Sequence, residues 1–328
     1  MAKVIPGSKG LIIGKFMPLH MGHVHLIDFA QSYVEKLTVV VCSIKSEPIH
    51  GKIRYEWVKE MFPNVKVIHL TDENPQEPKD HPRFWKIWEK SLKKIIPKGT
   101  KYLFASENYG QQLAKVMKME FIPVNERRDM VPISATDIRK NPLKFWKYIP
   151  YIVRPYFVKK VCIFGPESTG KTVLTRKLAK HFKTAYINEY ARDYLDHKNN
   201  KCVYKDIEYI ARGHLAYEEA MSKQANKILF CDTDTIITTL WSNVLFKKCP
   251  KWIKDEVGKR SYDLYILLDI DVPWIDDPQR YLPKQRKWFM DLCIDALKKH
   301  KRKYVIIGGS WDKRFKDSVK TVEKLLKD

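Results

Sequence analysis

Short apolar runs rich in β-branched and aromatic residues alternate with longer segments of helical period, and the alternation occurs twice. In the first half the runs fall at residues 11–16, 37–44, 65–70, 101–106 and 119–124. In the second they fall at 160–164, 184–188, 227–232, 263–269 and 303–307. Stretches such as Thr38-Val39-Val40-Val41 are apolar without alternation, which marks a strand covered on both faces. Strands separated by helices predict parallel sheets joined by right-handed crossovers. The chain is therefore expected to be α/β, with one open parallel-sheet domain in each half. Between the halves, Pro142, Pro150 and Pro155 interrupt a segment carrying Phe145, Trp146 and Tyr148. The prolines discourage one long helix there, and the aromatics suit a packed connector. The boundary is expected near residue 155, giving domains 1–155 and 156–328.

Length agrees with two domains, since 328 residues exceed the roughly 100–200 of one. No apolar run approaches the ~20 residues needed to cross a bilayer, and residues 1–10 lack a signal-peptide core. The six cysteines are scattered without a C-x-x-C pair, so a disulfide framework or zinc site is not expected. These features predict a cytoplasmic protein with no membrane partner. The formal charge of +23 is spread along the chain: residues 1–155 hold 26 Lys+Arg against 15 Asp+Glu, a net of +11, and the remainder holds +12. Such a field attracts nucleic acid, ATP and other phosphorylated metabolites alike, and it also suits a solvated lysine-rich surface.

The sharpest local signal is Gly165-Pro166-Glu167-Ser168-Thr169-Gly170-Lys171-Thr172, which fits G-x-x-x-x-G-K-[ST]. It follows one predicted strand and opens a predicted helix. Gly165 and Gly170 let the backbone wrap a phosphate chain, and Glu167, Ser168 and Thr169 line the wrap beside the free N–H groups of the helix start. Lys171 is expected to neutralise β- and γ-phosphates, and the Thr172 hydroxyl to ligate Mg²⁺. Acids at the carboxyl ends of later strands supply the remaining chemistry. Glu189 is the first candidate for the general base and Asp193 the second. Asp232 or Asp234 is expected to hold Mg²⁺. Downstream, Arg280 and Arg286 bracket a polar segment with the character of a basic lid over the transferred phosphoryl group.

In the first half, Gly14-Lys15-Phe16-Met17-Pro18-Leu19-His20-Met21-Gly22-His23 follows the first predicted strand and opens a helix. Gly22 leaves room for a phosphate at the helix start, where His20 and His23 can donate to a pentacoordinate phosphorus. Two histidines three apart also suit a metal pair, but no further ligand cluster accompanies them. Ile133-Ser134-Ala135-Thr136-Asp137-Ile138-Arg139 appears late in the same half. Ser134 or Thr136 can cap a helix and bind triphosphate oxygens, and Arg139 adds charge.

These pieces carry a resemblance. G-x-F-x-P-x-H-x-G-H followed by I-S-x-T-x-x-R resembles the nucleotidylyltransferase superfamily, with Gly14 and Phe16 at its fixed positions. The whole succession is similar to the NadR-type bifunctional proteins of NAD synthesis. It includes the connector Trp146-Lys147-Tyr148-Ile149-Pro150, the P-loop, Glu189-Tyr190-Ala191-Arg192-Asp193-Tyr194, Asp232-Thr233-Asp234 and Pro273-Trp274. That resemblance implies a Rossmann-like nucleotidylyltransferase domain followed by a P-loop kinase domain. It implies adenylylation of nicotinamide mononucleotide (NMN) by ATP to NAD and pyrophosphate in the first. In the second it implies phosphorylation of nicotinamide riboside to NMN, with Mg²⁺ as cofactor. On this reading Lys15, His20, His23 and Arg139 act in the first reaction, and Trp85 and Trp274 stack on the nicotinamide of the two substrates. With the first strand expected at Leu11, no room is expected for the helix-turn-helix repressor domain that some members carry, so nucleic acid is not expected as a partner. A homo-oligomer is compatible with the superfamily. The rival readings are a nucleotide-sensing regulator with poor turnover, a chain with one vestigial domain, and a kinase for another pyridine or purine nucleoside.

Overall fold

The computed structural model describes residues 4–327. The chain divides into two compact units, Met1–Val153 and Arg154–Asp328.

The first unit runs β1 (Ile5–Gly14), α1 (Met21–Tyr33), β2 (Val34–Cys42), α2 (Gly51–Met61), β3 (Lys66–Leu70), α3 (Phe84–Ile95), β4 (Tyr102–Ala105), α4 (Tyr109–Met117), β5 (Glu120–Pro123) and α5 (Ala135–Lys140). Its sheet is parallel throughout, in the order β3-β2-β1-β4-β5. Leu11, Ile12, Val39, Val40, Leu103 and Phe104 are wholly buried, as uninterrupted apolar runs require of strands covered on both faces. The chain leaves β1 in opposite directions across the sheet, which opens a crevice beyond the carboxyl ends of β1 and β4. β1 also starts six residues before the predicted Leu11. Its first part is exposed and pairs irregularly, with the register shifting between Ile5 and Lys9. Pro6 and Gly7 erase the apolar pattern there, so the sequence carries no strand signal. The connector is packed as expected: Trp146, Ile149, Ile152 and Val153 are buried.

The second unit runs α6 (Arg154–Phe157), β6 (Lys159–Phe164), α7 (Lys171–Phe182), β7 (Tyr186–Ile187), α8 (Tyr190–Asp196), α9 (Asp206–Ser222), β8 (Ile228–Asp232), α10 (Thr235–Phe246), α11 (Lys251–Lys259), β9 (Leu264–Leu268), α12 (Arg286–Lys299), β10 (Tyr304–Ile307) and α13 (Trp311–Lys327). Its parallel sheet has the order β10-β9-β6-β8-β7, with β6 at the centre. β7 is shorter than the predicted 184–188. The Thr184 side chain takes over part of the pairing: its hydroxyl donates to Ile228 O at 2.5 Å and accepts from Asn226 N at 2.8 Å.

Each unit buries one arginine completely or nearly so where its loops leave the sheet. Arg54 of α2 donates to Ile49 O at 2.9 Å, to Cys42 O at 3.1 Å, to Lys15 O and to the Glu47 carboxylate. Arg314 of α13 donates to Gly309 O at 2.9 Å, to Thr169 O at 3.1 Å, to Asp269 O at 3.0 Å and to the Asp271 carboxylate. Both guanidinium groups tie together loops that follow strands, where the site motifs lie. An unpaired buried carbonyl costs about 1–3 kcal/mol. Arg54→Leu and Arg314→Leu are therefore each expected to destabilise the protein by at least about 2 kcal/mol. Urea unfolding followed by circular dichroism measures the loss, and a midpoint equal to the parent's contradicts the clamp.

Candidate active sites

The first site is built on the turn from β1 into α1. His20 is the N-cap of α1, and its Nδ1 accepts from Gly22 N at 3.1 Å and His23 N at 3.4 Å. His23 Nδ1 in turn accepts from His20 N at 3.3 Å, and the two rings stack with centroids 3.7 Å apart. A Cβ on residue 22 would lie 2.9 Å from the His20 ring, so Gly22 is what lets that ring fold back on the helix. With both Nδ1 atoms accepting, the proton of each neutral ring resides on Nε2. Burial, followed by the charge of Arg128, lowers His20 from 6.5 to about 4. Burial, then His20 and Arg128, hold His23 well below its ordinary value. The pair thus offers two neutral Nε2–H donors at the start of α1.

The second motif folds against the first. Arg139 donates to Met17 O and, at 3.0 Å, to Thr136 Oγ1. Ser134 caps α5 by accepting from Asp137 N at 3.1 Å, and Ile133 approaches Gly22. Phe16 is buried with positive φ, its ring against Gly14 and 4.8 Å from that of His23. Lys15 pairs with Glu47 at 3.2 Å while its side chain stays exposed. Trp85 packs edge-on against Phe84 and joins the core under β1 and β4. Among the described residues no cluster of three His, Cys, Asp or Glu side chains forms a metal cage.

The second site surrounds the turn from β6 into α7. Gly165, Ser168 and Gly170 all have positive φ. A Cβ on Gly170 would meet the Trp311 ring at 2.4 Å. Lys171 Nζ folds back on Pro166 O at 2.9 Å. The predicted lid lies on the loop: Glu167 accepts from Tyr281 N and Leu282 N at 3.1 Å each, and Ser168 Oγ accepts from Ile275 N at 2.8 Å. Arg280 Nη1 is 3.5 Å from Ser168 Oγ, and Arg286 Nη2 donates to Ser168 O at 3.4 Å. The Nε atoms of both arginines are buried with no hydrogen-bond partner among the described residues, as donors awaiting an anion would be.

Of the two acids at the carboxyl end of β8, Asp232 meets the P-loop motif. Its Oδ2 accepts from Thr172 Oγ1 at 2.5 Å, and its buried Oδ1 has no partner among the described residues. A hydroxyl beside an orphaned carboxylate oxygen is a donor set that fits a hard divalent cation. Burial, then the Glu189 charge, pushes the Asp232 carboxyl up to about 7. Asp234 is engaged elsewhere: it caps α10 through Ile237 N at 3.1 Å and accepts from Tyr265 OH at 2.7 Å.

A cavity of about 180 Å³ opens beside the P-loop and is lined by Glu189, Tyr190, Arg192, Trp241 and Tyr281, among others. Glu189 faces it from the start of α8. Asp193, one turn later, bonds Tyr217 OH at 3.1 Å and is not in the lining. Trp274 is also outside the lining; its indole N–H donates to Asp276 at 2.6 Å. The stacking role expected of it finds no support in this cavity, whose aromatic walls are Tyr190, Trp241 and Tyr281.

Comparison with known proteins follows this division. A cytidylyltransferase-like family model matches residues 11–141, and an AAA-domain model matches residues 160–314. The trifunctional NAD biosynthesis/regulator proteins NadR of Escherichia coli K12 and Salmonella typhimurium LT2 are each 31% identical over 97% of this chain and 83% of their own. This chain belongs to the NadR family. Its fold is likewise that of solved NadR proteins. A crystal structure of a NadR protein in complex with NR has a TM-score of 0.81 at 23% identity, covering 99% of this chain and 98% of that one. Another, in complex with NAD and AMP-PNP, scores 0.79.

Several site residues of this NadR-family chain escape its motifs. Arg128, whose charge acts on both histidines, lies in the loop after β5 and is announced only by the pair Arg127-Arg128 ahead of Ile133. Arg54, Arg314 and Trp241 carry no pattern at all. No helix among the described residues is long and apolar enough to cross a membrane.

The lowered histidines set a pH dependence. Unfolded, His20 titrates near 6.5, but folded it stays neutral until about 4. Its contribution to stability is therefore complete above pH 6.5 and is lost as pH falls toward 4. The full loss is up to roughly 3 kcal/mol. His20→Gln is expected to flatten the fall in stability between pH 6.5 and 4, read from urea midpoints across that range. A slope as steep as the parent's contradicts the buried neutral ring.

Proposed function

We propose that this chain makes NAD in two ATP-dependent steps, phosphorylating nicotinamide riboside to NMN in its second unit and adenylylating NMN in its first. The observation that carries the reading is the pairing, in one NadR-family chain, of two different phosphate cradles at sheet carboxyl ends: neutral histidines at one, a P-loop with a basic lid at the other.

In adenylyl transfer an NMN phosphate oxygen bonds to the α-phosphorus of ATP as the bond to the pyrophosphate oxygen breaks. No protein nucleophile takes part. His20 and His23 donate Nε2–H to oxygens that gain charge, which neutral rings at a helix start do without prior proton loss. Lys15, Arg139 and the Ser134–Thr136 turn balance the triphosphate. Gly14, Phe16 and Gly22 shape the turn on which the histidines stand.

In the kinase step the riboside hydroxyl attacks the γ-phosphorus, Glu189 takes its proton, and ADP leaves. Asp193 is the alternative base. Lys171, Arg280 and Arg286 meet the spreading charge, and the backbone of Gly165–Gly170 holds the phosphates. A divalent cation, which we take to be Mg²⁺, would be held by Thr172 and Asp232 and would neutralise phosphate oxygens, while Asp234 ties the start of α10 to β9. A cytoplasmic setting, where ATP and ribosides meet, completes the reading.

Separate sites predict separable losses. His23→Ala is expected to abolish NAD formation from NMN and spare riboside phosphorylation; Lys171→Ala is expected to do the reverse. Product analysis with Mg·ATP and each substrate decides. Loss of both activities in either folded variant contradicts two independent sites, and undiminished riboside phosphorylation in Lys171→Ala contradicts the P-loop assignment.

A further inference from the structure

The part of the kinase cavity's wall supplied by α9 and α10 is mostly apolar. From α9 it receives Ile207, Ile210 and His214, which share one helical face, and from α10 Ile237, Trp241 and Leu245. His214 is the polar member of the α9 face. It is 3% exposed, and Gly213 beside it lets the Tyr190 ring pack directly on α9, since a Cβ there would fall 2.0 Å from that ring.

A buried network behind the wall fixes which nitrogen of His214 carries the proton. Glu218, one turn further along α9, receives Lys160 Nζ at 2.7 Å and Arg260 Nη1 at 3.3 Å. Burial opposes its ionisation, but the Lys160 ammonium and the other donors hold it below its ordinary value, as a carboxylate. Tyr262 OH donates to Glu218 Oε2 at 2.8 Å and lies 3.2 Å from His214 Nε2. The tyrosine has one hydrogen, and the carboxylate takes it. His214 Nε2 must therefore be the donor to Tyr262 Oη. Burial lowers His214 to about 4, so the ring is neutral and its Nδ1 keeps a lone pair. Nδ1 is thus left as the acceptor of a ring that lines the cavity.

We propose that His214 reads the base of the riboside: its Nδ1 accepts an N–H of the carboxamide, so that the cavity takes the amide riboside and rejects the corresponding carboxylic acid. A planar ring fits between the aromatic and aliphatic side chains of this wall, and its carboxamide supplies the donor that Nδ1 needs. A carboxylate at the same place has no hydrogen to give and sets negative charge against a lone pair. The proposal rests on the riboside-kinase reading above.

The test compares phosphorylation of nicotinamide riboside and nicotinic acid riboside by the parent, His214→Leu, His214→Asn and Tyr262→Phe, with NMN adenylylation as the folding control. The parent is expected to favour the amide by at least about 100-fold in kcat/KM, since a site built to pair a donor strongly rejects the analogue lacking it. In His214→Leu the amide KM should rise about tenfold or more with kcat little changed, and the amide-to-acid ratio should collapse toward one. His214→Asn, which restores an acceptor oxygen, should recover part of the ratio. Tyr262→Phe, which frees the tautomer, should lower it. Unchanged ratios in both His214→Leu and Tyr262→Phe overturn the proposal. If His214→Leu does not turn over, Tyr262→Phe and His214→Asn decide by the same criterion. A parent that phosphorylates neither riboside overturns the kinase reading itself, an outcome distinct from unchanged ratios.

Discussion

Loops leaving the carboxyl ends of parallel strands present carbonyl groups that the sheet does not pair, and in each unit one buried arginine collects them. Arg54 gathers Lys15, Cys42 and Ile49; Arg314 gathers Thr169, Asp269 and Gly309. A guanidinium suits this because its donors diverge in a plane and it does not lose its charge. Burying that charge is tolerable only with a carboxylate at hand, supplied by Glu47 in one case and Asp271 in the other. The consequence is functional. Lys15 belongs to the histidine turn and Thr169 to the P-loop, so each clamp holds one shoulder of a phosphate cradle.

Around these fixed shoulders the two units use different chemistry for a similar electrostatic problem. The first presents neutral imidazoles, kept neutral by burial and a nearby arginine, on a helix start. The second presents fixed charges, with Lys171 in the loop and Arg280 and Arg286 beside it, and Glu167 of the loop holds the segment between those arginines through Tyr281 N and Leu282 N. That segment is thus attached to the P-loop by a side chain at a variable position of the motif.

Much of this was legible in the sequence, for identifiable reasons. Strands covered on both faces write continuous apolar runs, so all of the predicted runs appear as strands; the start of β1 and the ends of β7 departed where Pro6-Gly7 broke the pattern and where a threonine side chain replaced ladder pairing. Both strand-to-helix turns were legible because glycine, histidine and lysine at fixed spacing are demanded by backbone shape and charge. What could not be read is what depends on contacts distant in sequence. Arg54 and Arg314 look like surface arginines of amphipathic helices until the loops close on them. Asp232 and Asp234 differ by two residues and by nothing in composition, yet one ends a strand beside Thr172 while the other caps a helix. Trp241 and His214 sit on helices that carry no motif, and only the packing of α9 and α10 around one cavity brings them together.

The claim that one chain carries out both phosphoryl and adenylyl transfer is tested most directly by isotope. The purified protein is supplied with nicotinamide riboside and ATP labelled distinguishably at its α- and γ-phosphorus, and the NAD formed is isolated. NAD carrying both labels in equal amounts is the predicted result, the γ-label entering through the kinase step and the α-label through adenylylation. Absence of the γ-label from both NMN and NAD would contradict the kinase assignment, and γ-labelled NMN that never acquires the α-label would contradict the adenylyltransferase.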